Sequence, residues 1–288
     1  MYRNDNTNRI QFSSITELAA YCQKNREKTD YFDRTNDKFF GTTTGSEALA
    51  MCFSGDDALI PEAKKMIDDI LVDAALPTMM DEPEVAGCYP VAAEFLSGIP
   101  ECMRMPSRVG SEQAPLSIFL DLTVSAGVTP KQYKQRGIAT LALVLALSAV
   151  RPIQLEVGCV MGASKEAKGL PGESVSIVSV VINTAPLDIS TAAYALTNVA
   201  FIRRLIYGAS IVEHRFTGGW PVLKGAEYAE PQSKPHIKRV TEILDLPGET
   251  FYMPAICIED AGFQQAVNRP AEWVRKHFER FANQLETA

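Results

Sequence analysis

The spacing of apolar and polar positions changes character several times along the chain, and one stretch does so cleanly. Between Pro115 and Thr184 an apolar run, Leu116–Leu120 with only Ser117 polar, gives way to a polar turn and then to a long uncharged segment. A short, mainly apolar run reads as a strand buried on both faces, as in a parallel sheet. From Lys131 to Val150 polar residues occupy only the first turns, and beyond Gly137 the segment is apolar all round. That pattern predicts a helix covered on more than one side. Pro152 closes it, Ile153–Met161 predicts a second strand, and Ser176–Ile182 a third beyond the glycine-rich GASKEAKGLPGE.

Downstream, Asp188 or Ser190 caps one predicted helix, STAAYALTNVAFIRRLIYGA, with Leu196, Val199, Ala200 and Ile202–Leu205 on its buried stripe. A long irregular segment follows, then predicted strands at 238–245 and 250–258 and a closing helix from Pro270 to near Leu285. Upstream, residues 1–12 read as a loose tail. Ser14-Ile15-Thr16-Glu17 forms a capping box for an amphipathic helix reaching Arg26. Helices are predicted at 45–54, stopped by Gly55, and at 61–75, with Pro61 at its favoured first position. The acidic TMMDEPE marks a boundary, and RMPSRVGSEQAP reads as an exposed loop. These elements together predict a mixed α/β fold, with a mostly parallel central sheet flanked by helices and an N-terminal helical extension. The division follows: 1–80 for tail and extension, 81–288 for the α/β domain.

Composition changes this picture little. With 46% hydrophobic and 22% charged residues in 288, the chain can bury a substantial core. The net charge of −7 is uneven, because residues 1–120 hold 11 Lys/Arg against 19 Asp/Glu and the remainder 17 against 16. An acidic front half disfavours sequence-blind coating of DNA. Six cysteines lie scattered without a Cys-x-x-Cys pair, and only His214, His236 and His277 occur, so a standard zinc site is not expected. The polar start MYRNDNTNRIQ lacks the hydrophobic core of a secretory signal, and the longest apolar run, Gly137–Val150, is too short to span a bilayer. A cytoplasmic protein with reduced thiols and no membrane partner is the expectation.

Candidate chemistry is sparse. Gly158–Lys165 has glycines and a lysine, but a phosphate-binding loop needs Gly-Lys-Ser/Thr contiguous before a helix. No serine-nucleophile elbow, His-Glu-x-x-His or Cys/His pairing is present, and no catalytic residue is nominated. An enzyme with an unrecognised site is the least favoured reading. Cations interleaved with aromatics are more suggestive: Arg203, Arg204, Arg215, Trp220, Lys238 and Arg239 could hold single-stranded nucleic acid by phosphate contacts and base stacking. The competing structural role is an internal pairing of Arg203 or Arg204 with a carboxylate.

Asp121-x-Thr123-x-Ser125, at the carboxyl end of a predicted strand, resembles the Asp-x-Ser-x-Ser loop of von Willebrand factor A domains, and Thr191 opens a helix similar to that family's third motif. The resemblance implies a von Willebrand A-like sheet with Mg²⁺ held by Asp121, Thr123, Ser125 and Thr191. Thr123 replaces the family's first Ser, and Ala126-Gly127 follows the second, departures that equally imply a degenerate, metal-free version without any cofactor. The competing structural role is that Asp121 and Ser125 satisfy backbone groups of the turn after the strand. Several blocks resemble a family of uncharacterised proteins of tailed bacteriophages: Phe39-Phe40-Gly41, Leu96 to Met103, Arg136-Gly137, and Leu187-Asp188 leading into Phe201 to Leu205. This implies a phage setting in the host cytoplasm. The leading reading is a non-enzymatic adaptor that recruits or regulates another machine, an AAA+ ATPase for instance. The alternative is a single-stranded-DNA-binding transcription factor that brings a phage RNA polymerase to its template.

Overall fold

In a computed structural model the structure describes residues 1–4, 9–73, 80–84, 89–90, 96, 103–107, 116–124, 127–150, 152–162, 175–182, 188–213, 251–253 and 261–286. They fall in two compact units, one formed by Met1–Asp68 with Pro115–Ala288 and the other by Asp69–Ala114.

The larger unit begins with strands β1 (Tyr2–Asn4) and β2 (Arg9–Phe12). Helix α1 (Ile15–Lys24) starts where Ser14 accepts from the Glu17 amide at 3.1 Å, and the Glu17 carboxylate accepts in return from the Ser13 amide. Next come α2 (Asp37–Phe40), α3 (Gly45–Ser54) and α4 (Ile60–Asp73). A full capping box between Thr44 and Glu47 opens α3, and Gly55 at φ 69° closes it, a conformation that favours glycine.

Within the smaller unit β3 (Met80–Glu84), β4 (Tyr89–Pro90) and β5 (Met103–Ser107) make an antiparallel sheet in the order β3-β5-β4. The start of the segment expected to be a loop is therefore a strand. Among the described residues β4 pairs with Arg104 and Met103, and Pro106 pairs with Asp81 of β3.

The chain then enters β6 (Leu116–Asp121), α5 (Pro130–Val150), β7 (Ile153–Gly162) and β8 (Val175–Ile182). Helix α6 (Ile189–Thr197) leads to a π-helix (Phe201–Ile206) that runs on into α7 (Tyr207–Val212). Strand β9 (Phe251–Met253) and helices α8 (Ala261–Asn268) and α9 (Pro270–Glu286) complete the described elements. The segment expected to form one helix is thus broken, its halves bent by 77°. Asn198 causes the break: its backbone is extended, and its side chain accepts from the Ala200 amide at 3.0 Å as an N-cap for the second half. The strand expected at 238–245 lies outside the described residues. Among the described residues no single helix is long and apolar enough to cross a membrane.

The central sheet has the order β1-β2-β8-β7-β6-β9. Pairings β2–β8, β6–β7 and β6–β9 are parallel, while β1–β2 and β7–β8 are antiparallel. The fold is therefore α/β, with a mostly parallel sheet and flanking helices. The expected loose tail is corrected here. Ile10 and Phe12 alternate with polar Arg9 and Gln11, are fully buried, and pair in parallel with Val178 and Val180. A half-buried alternation so short needs its distant partner before it becomes a strand. Helix α5 is buried from Ile138 to Leu147, and at Gly137 a Cβ would lie 2.1 Å from the Leu196 oxygen. Helices α5 and α6 thus touch backbone to backbone at a position only glycine can fill.

Candidate functional site

Strand β6 sits where the sheet reverses its order: the chain moves from it through α5 to β7 on one side and later returns to β9 on the other. In open α/β sheets the crevice beyond the carboxyl ends of the strands at such a point is the usual ligand position. Asp121 is the last residue of β6, at that end of the sheet.

Its carboxylate is 1% exposed and accepts three hydrogen bonds. Oδ1 takes the Thr123 amide at 2.9 Å and the Val160 amide at 3.4 Å, and Oδ2 takes the Tyr252 hydroxyl at 3.0 Å. Thr123 Oγ1 accepts from the same Val160 amide at 3.1 Å and shares its hydrogen between Cys159 Sγ and the Val160 oxygen. The next amide, Val124, donates to the Tyr207 hydroxyl at 3.2 Å, and the Leu122 amide donates to the Gly158 oxygen. Each backbone amide from Leu122 to Val124 is therefore satisfied internally, which fixes the first half of the loop after β6.

Burial is the largest influence on every titratable group here. It raises the Asp121 carboxyl, against the opposing pull of its hydrogen bonds. It drives Cys159, Tyr207 and Tyr252 well above their ordinary values, with the nearby Asp121 charge acting in the same direction. The thiol and both phenols are therefore protonated at neutral pH. A buried, protonated thiol is a packing group with a weak hydrogen-bond role rather than a nucleophile.

Three of the four residues expected to hold Mg²⁺ are described. Asp121 and Thr123 share one network, Ser125 lies outside the described residues, and Thr191 belongs to another cluster. Thr191 is half-buried at the start of α6, where its amide and hydroxyl both donate to Asp188, at 3.0 and 2.6 Å. Among the described residues no hydrogen bond joins Thr191 to Asp121 or Thr123. A Mg²⁺ ion demands near-octahedral oxygen ligands and usually keeps several waters. The enclosed Asp121 carboxylate, already facing three donors, offers no such position, so Asp121, Thr123 and Thr191 as arranged do not fit the ion. No group of three or more His, Cys, Asp or Glu among the described residues could hold a metal.

Arg203 and Arg204 require a correction. Both were expected to face nucleic acid, yet they are 0% and 4% exposed. The Arg203 guanidinium donates to the Phe39 and Val128 carbonyls and lies 4.2 Å over the Phe39 ring. That of Arg204 donates to the Phe32, Arg34 and Thr43 carbonyls and lies 4.4 Å over the Phe40 ring. Neither can reach a phosphate in this arrangement. Carbonyl oxygens and ring faces hold both guanidinium groups, and the Asp33 and Asp37 carboxylates act on Arg204 through charge. Arg215, Trp220, Lys238 and Arg239 lie outside the described residues. Gly158–Gly162 forms part of β7, paired with β8, so this part of the glycine-containing stretch is strand rather than phosphate loop.

Reading from the sequence missed Tyr252, Tyr207 and Cys159 as members of the Asp121 network. Tyr252 is 131 residues away from Asp121, and Tyr207 is 83 from the amide it binds. Only the phenol on an otherwise apolar strand hinted that Tyr252 needed a buried partner.

The chain belongs to a family described as Domain of unknown function (DUF7192), which matches residues 3–282. No curated protein and no solved structure matches it.

Proposed function

We propose that this chain, as a member of that family, is a non-enzymatic accessory protein. It docks another protein through the rim at the carboxyl end of its central sheet. The observation that supports this reading is the use made of Asp121, Thr123, Cys159, Tyr207 and Tyr252. All five are buried, and among the described residues their polar atoms are engaged around the backbone of Leu122–Val124. Backbone held by such bonds at that position suits recognition, since the held part pays little ordering entropy on binding. A degenerate von Willebrand A-like fold is the finer reading. The order of parts supports it: an Asp-x-Thr loop closing a central strand, a deeply buried helix after it and a strand close behind. In the phage setting that the sequence resemblance implies, the partner is a phage or host machine such as an ATPase or an RNA polymerase.

The test is site-specific photo-crosslinking in the native cell, with the probe at exposed Gly127 or, as control, at exposed Lys276. A nuclease-resistant protein adduct from position 127 and not from 276 is the expected result. Adducts that vanish with nuclease would replace docking by the single-stranded-nucleic-acid reading, carried by Arg215, Trp220, Lys238 and Arg239. Equal adducts from both positions would remove the rim as the docking face.

A further inference from the structure

The π-helix Phe201–Ile206 is buried throughout, and its wide turn is rare in proteins and frequent at functional sites. Its neighbours explain a use for it. One residue beyond its end, the Tyr207 hydroxyl accepts from the Val124 amide. Within it, Arg203 Nη2 donates to the Val128 oxygen at 2.9 Å. The loop after β6 is therefore held near both ends by side chains of one helical segment. The same Arg203 guanidinium also donates through Nη1 to the Phe39 oxygen and stacks on the Phe39 ring, whose edge-to-face partner is Phe40. Segment 36–41 continues onto the start of α5, because a Cβ at Gly41, where φ is 74°, would lie 3.7 Å from Pro130.

We propose that Arg203 is a positioning residue that couples the aromatic segment 36–41 to the loop after β6, so that this segment sets the loop's conformation. The planar guanidinium fork explains why. It is rigid, so the group cannot follow Phe39 without moving the donor that holds Val128. A lysine at 203 has a single ammonium on a flexible stem and cannot hold both carbonyls in a fixed relation. The use of this coupling in docking rests on the function proposed above; the coupling itself needs no partner.

Hydrogen exchange on the full chain, read by mass spectrometry over 122–129 and over β8, tests it. Phe39→Leu keeps apolar bulk but removes the ring face, and Arg203→Lys removes the fork. Each should raise exchange in 122–129 about tenfold, the scale of one cation–π contact together with its attendant hydrogen bonds, and leave β8 within about twofold. Phe39→Tyr retains the ring face and should exchange like the wild type. The proposal is overturned if Phe39→Leu leaves 122–129 at the wild-type rate. It is equally overturned if β8 accelerates in step, since that is general loss of stability, or if Phe39→Tyr behaves like Phe39→Leu. A wild-type chain that gives no adduct from position 127 would defeat the docking reading and leave this coupling standing.

Discussion

Replacing Asp121 probes the switch-point network most directly, because one carboxylate faces three donors. In Asp121→Ala the Val160 amide keeps Thr123 Oγ1 at 3.1 Å as an acceptor, so two donors are stranded, the Thr123 amide and the Tyr252 hydroxyl. At about 1–3 kcal/mol for each buried unsatisfied group, the loss is about 4 kcal/mol. That is a large share of the roughly 5–15 kcal/mol that holds a domain together. Asp121→Asn keeps Oδ1 for both amides. Its Nδ2 can donate to the Tyr252 oxygen once the hydroxyl turns away, but the second Nδ2 hydrogen and the turned hydroxyl are then both unpaired, so the loss is about 2–4 kcal/mol. Both variants also differ from the wild type in pH dependence. Burial raises the Asp121 carboxyl, so the folded protein holds this proton more tightly than the unfolded chain. The resulting stability is fully present below the unfolded pKa and is lost as pH rises through the higher folded value. Asparagine cannot titrate, so the wild type's advantage over Asp121→Asn shrinks across that window. Urea unfolding followed by circular dichroism at a series of pH values measures both effects. An Asp121→Ala loss below about 1 kcal/mol, near the range of surface substitutions, would show that the network does not exist. A wild-type advantage that grows as pH rises would refute the linkage.

Three further outcomes follow from particular contacts. Gly137→Ala gains about 1 kcal/mol of helix propensity but drives a methyl to 2.1 Å from the Leu196 oxygen, so thermal unfolding should show a net loss of about 2 kcal/mol. A stabilised variant would mean that α5 and α6 do not touch there. Glu156→Gln breaks a two-pronged ion pair with Arg9, both contacts at 2.9 Å and the side chains 8% and 12% exposed. It should cost about 3 kcal/mol in denaturant titration, whereas the double variant Arg9→Met/Glu156→Leu should recover most of that loss. Arg204→Ala strips three carbonyls of their donor and Phe40 of its cation; a loss of about 3 kcal/mol and early proteolytic cleavage between residues 30 and 44 are expected. A loss within about 0.5 kcal/mol would return Arg204 to the surface.

Periodicity alone determined the elements whose burial is decided locally. The mainly apolar run in β6, the all-round apolar face of α5 beyond Gly137 and the caps at Ser14 and Thr44 each carry their own physical signal within a few residues. The α/β class followed from their order. Asp121 at the end of a strand was legible for the same reason. So was its service to the turn that follows, where it accepts from the Thr123 amide. Its distant donors were not, because spacing reports that a polar side chain is present and not which remote groups will meet it. Only the tertiary structure brought Val160, Tyr252 and, through the neighbouring amide, Tyr207 around that loop. It also turned Arg203 and Arg204 inward. A cation beside apolar residues looks the same in sequence whether it reaches solvent or the carbonyls of a segment 160 or more residues away, as Phe39 and Thr43 are. The same limit applies to Arg9–Phe12. Four alternating residues cannot pay the entropy of ordering by themselves, and they become a strand only where β8 supplies an open edge. Asn198 is the local exception that went unread: an asparagine inside an apolar helical pattern is a cap in waiting, and the packing of α6 against α5 decides that the chain breaks there.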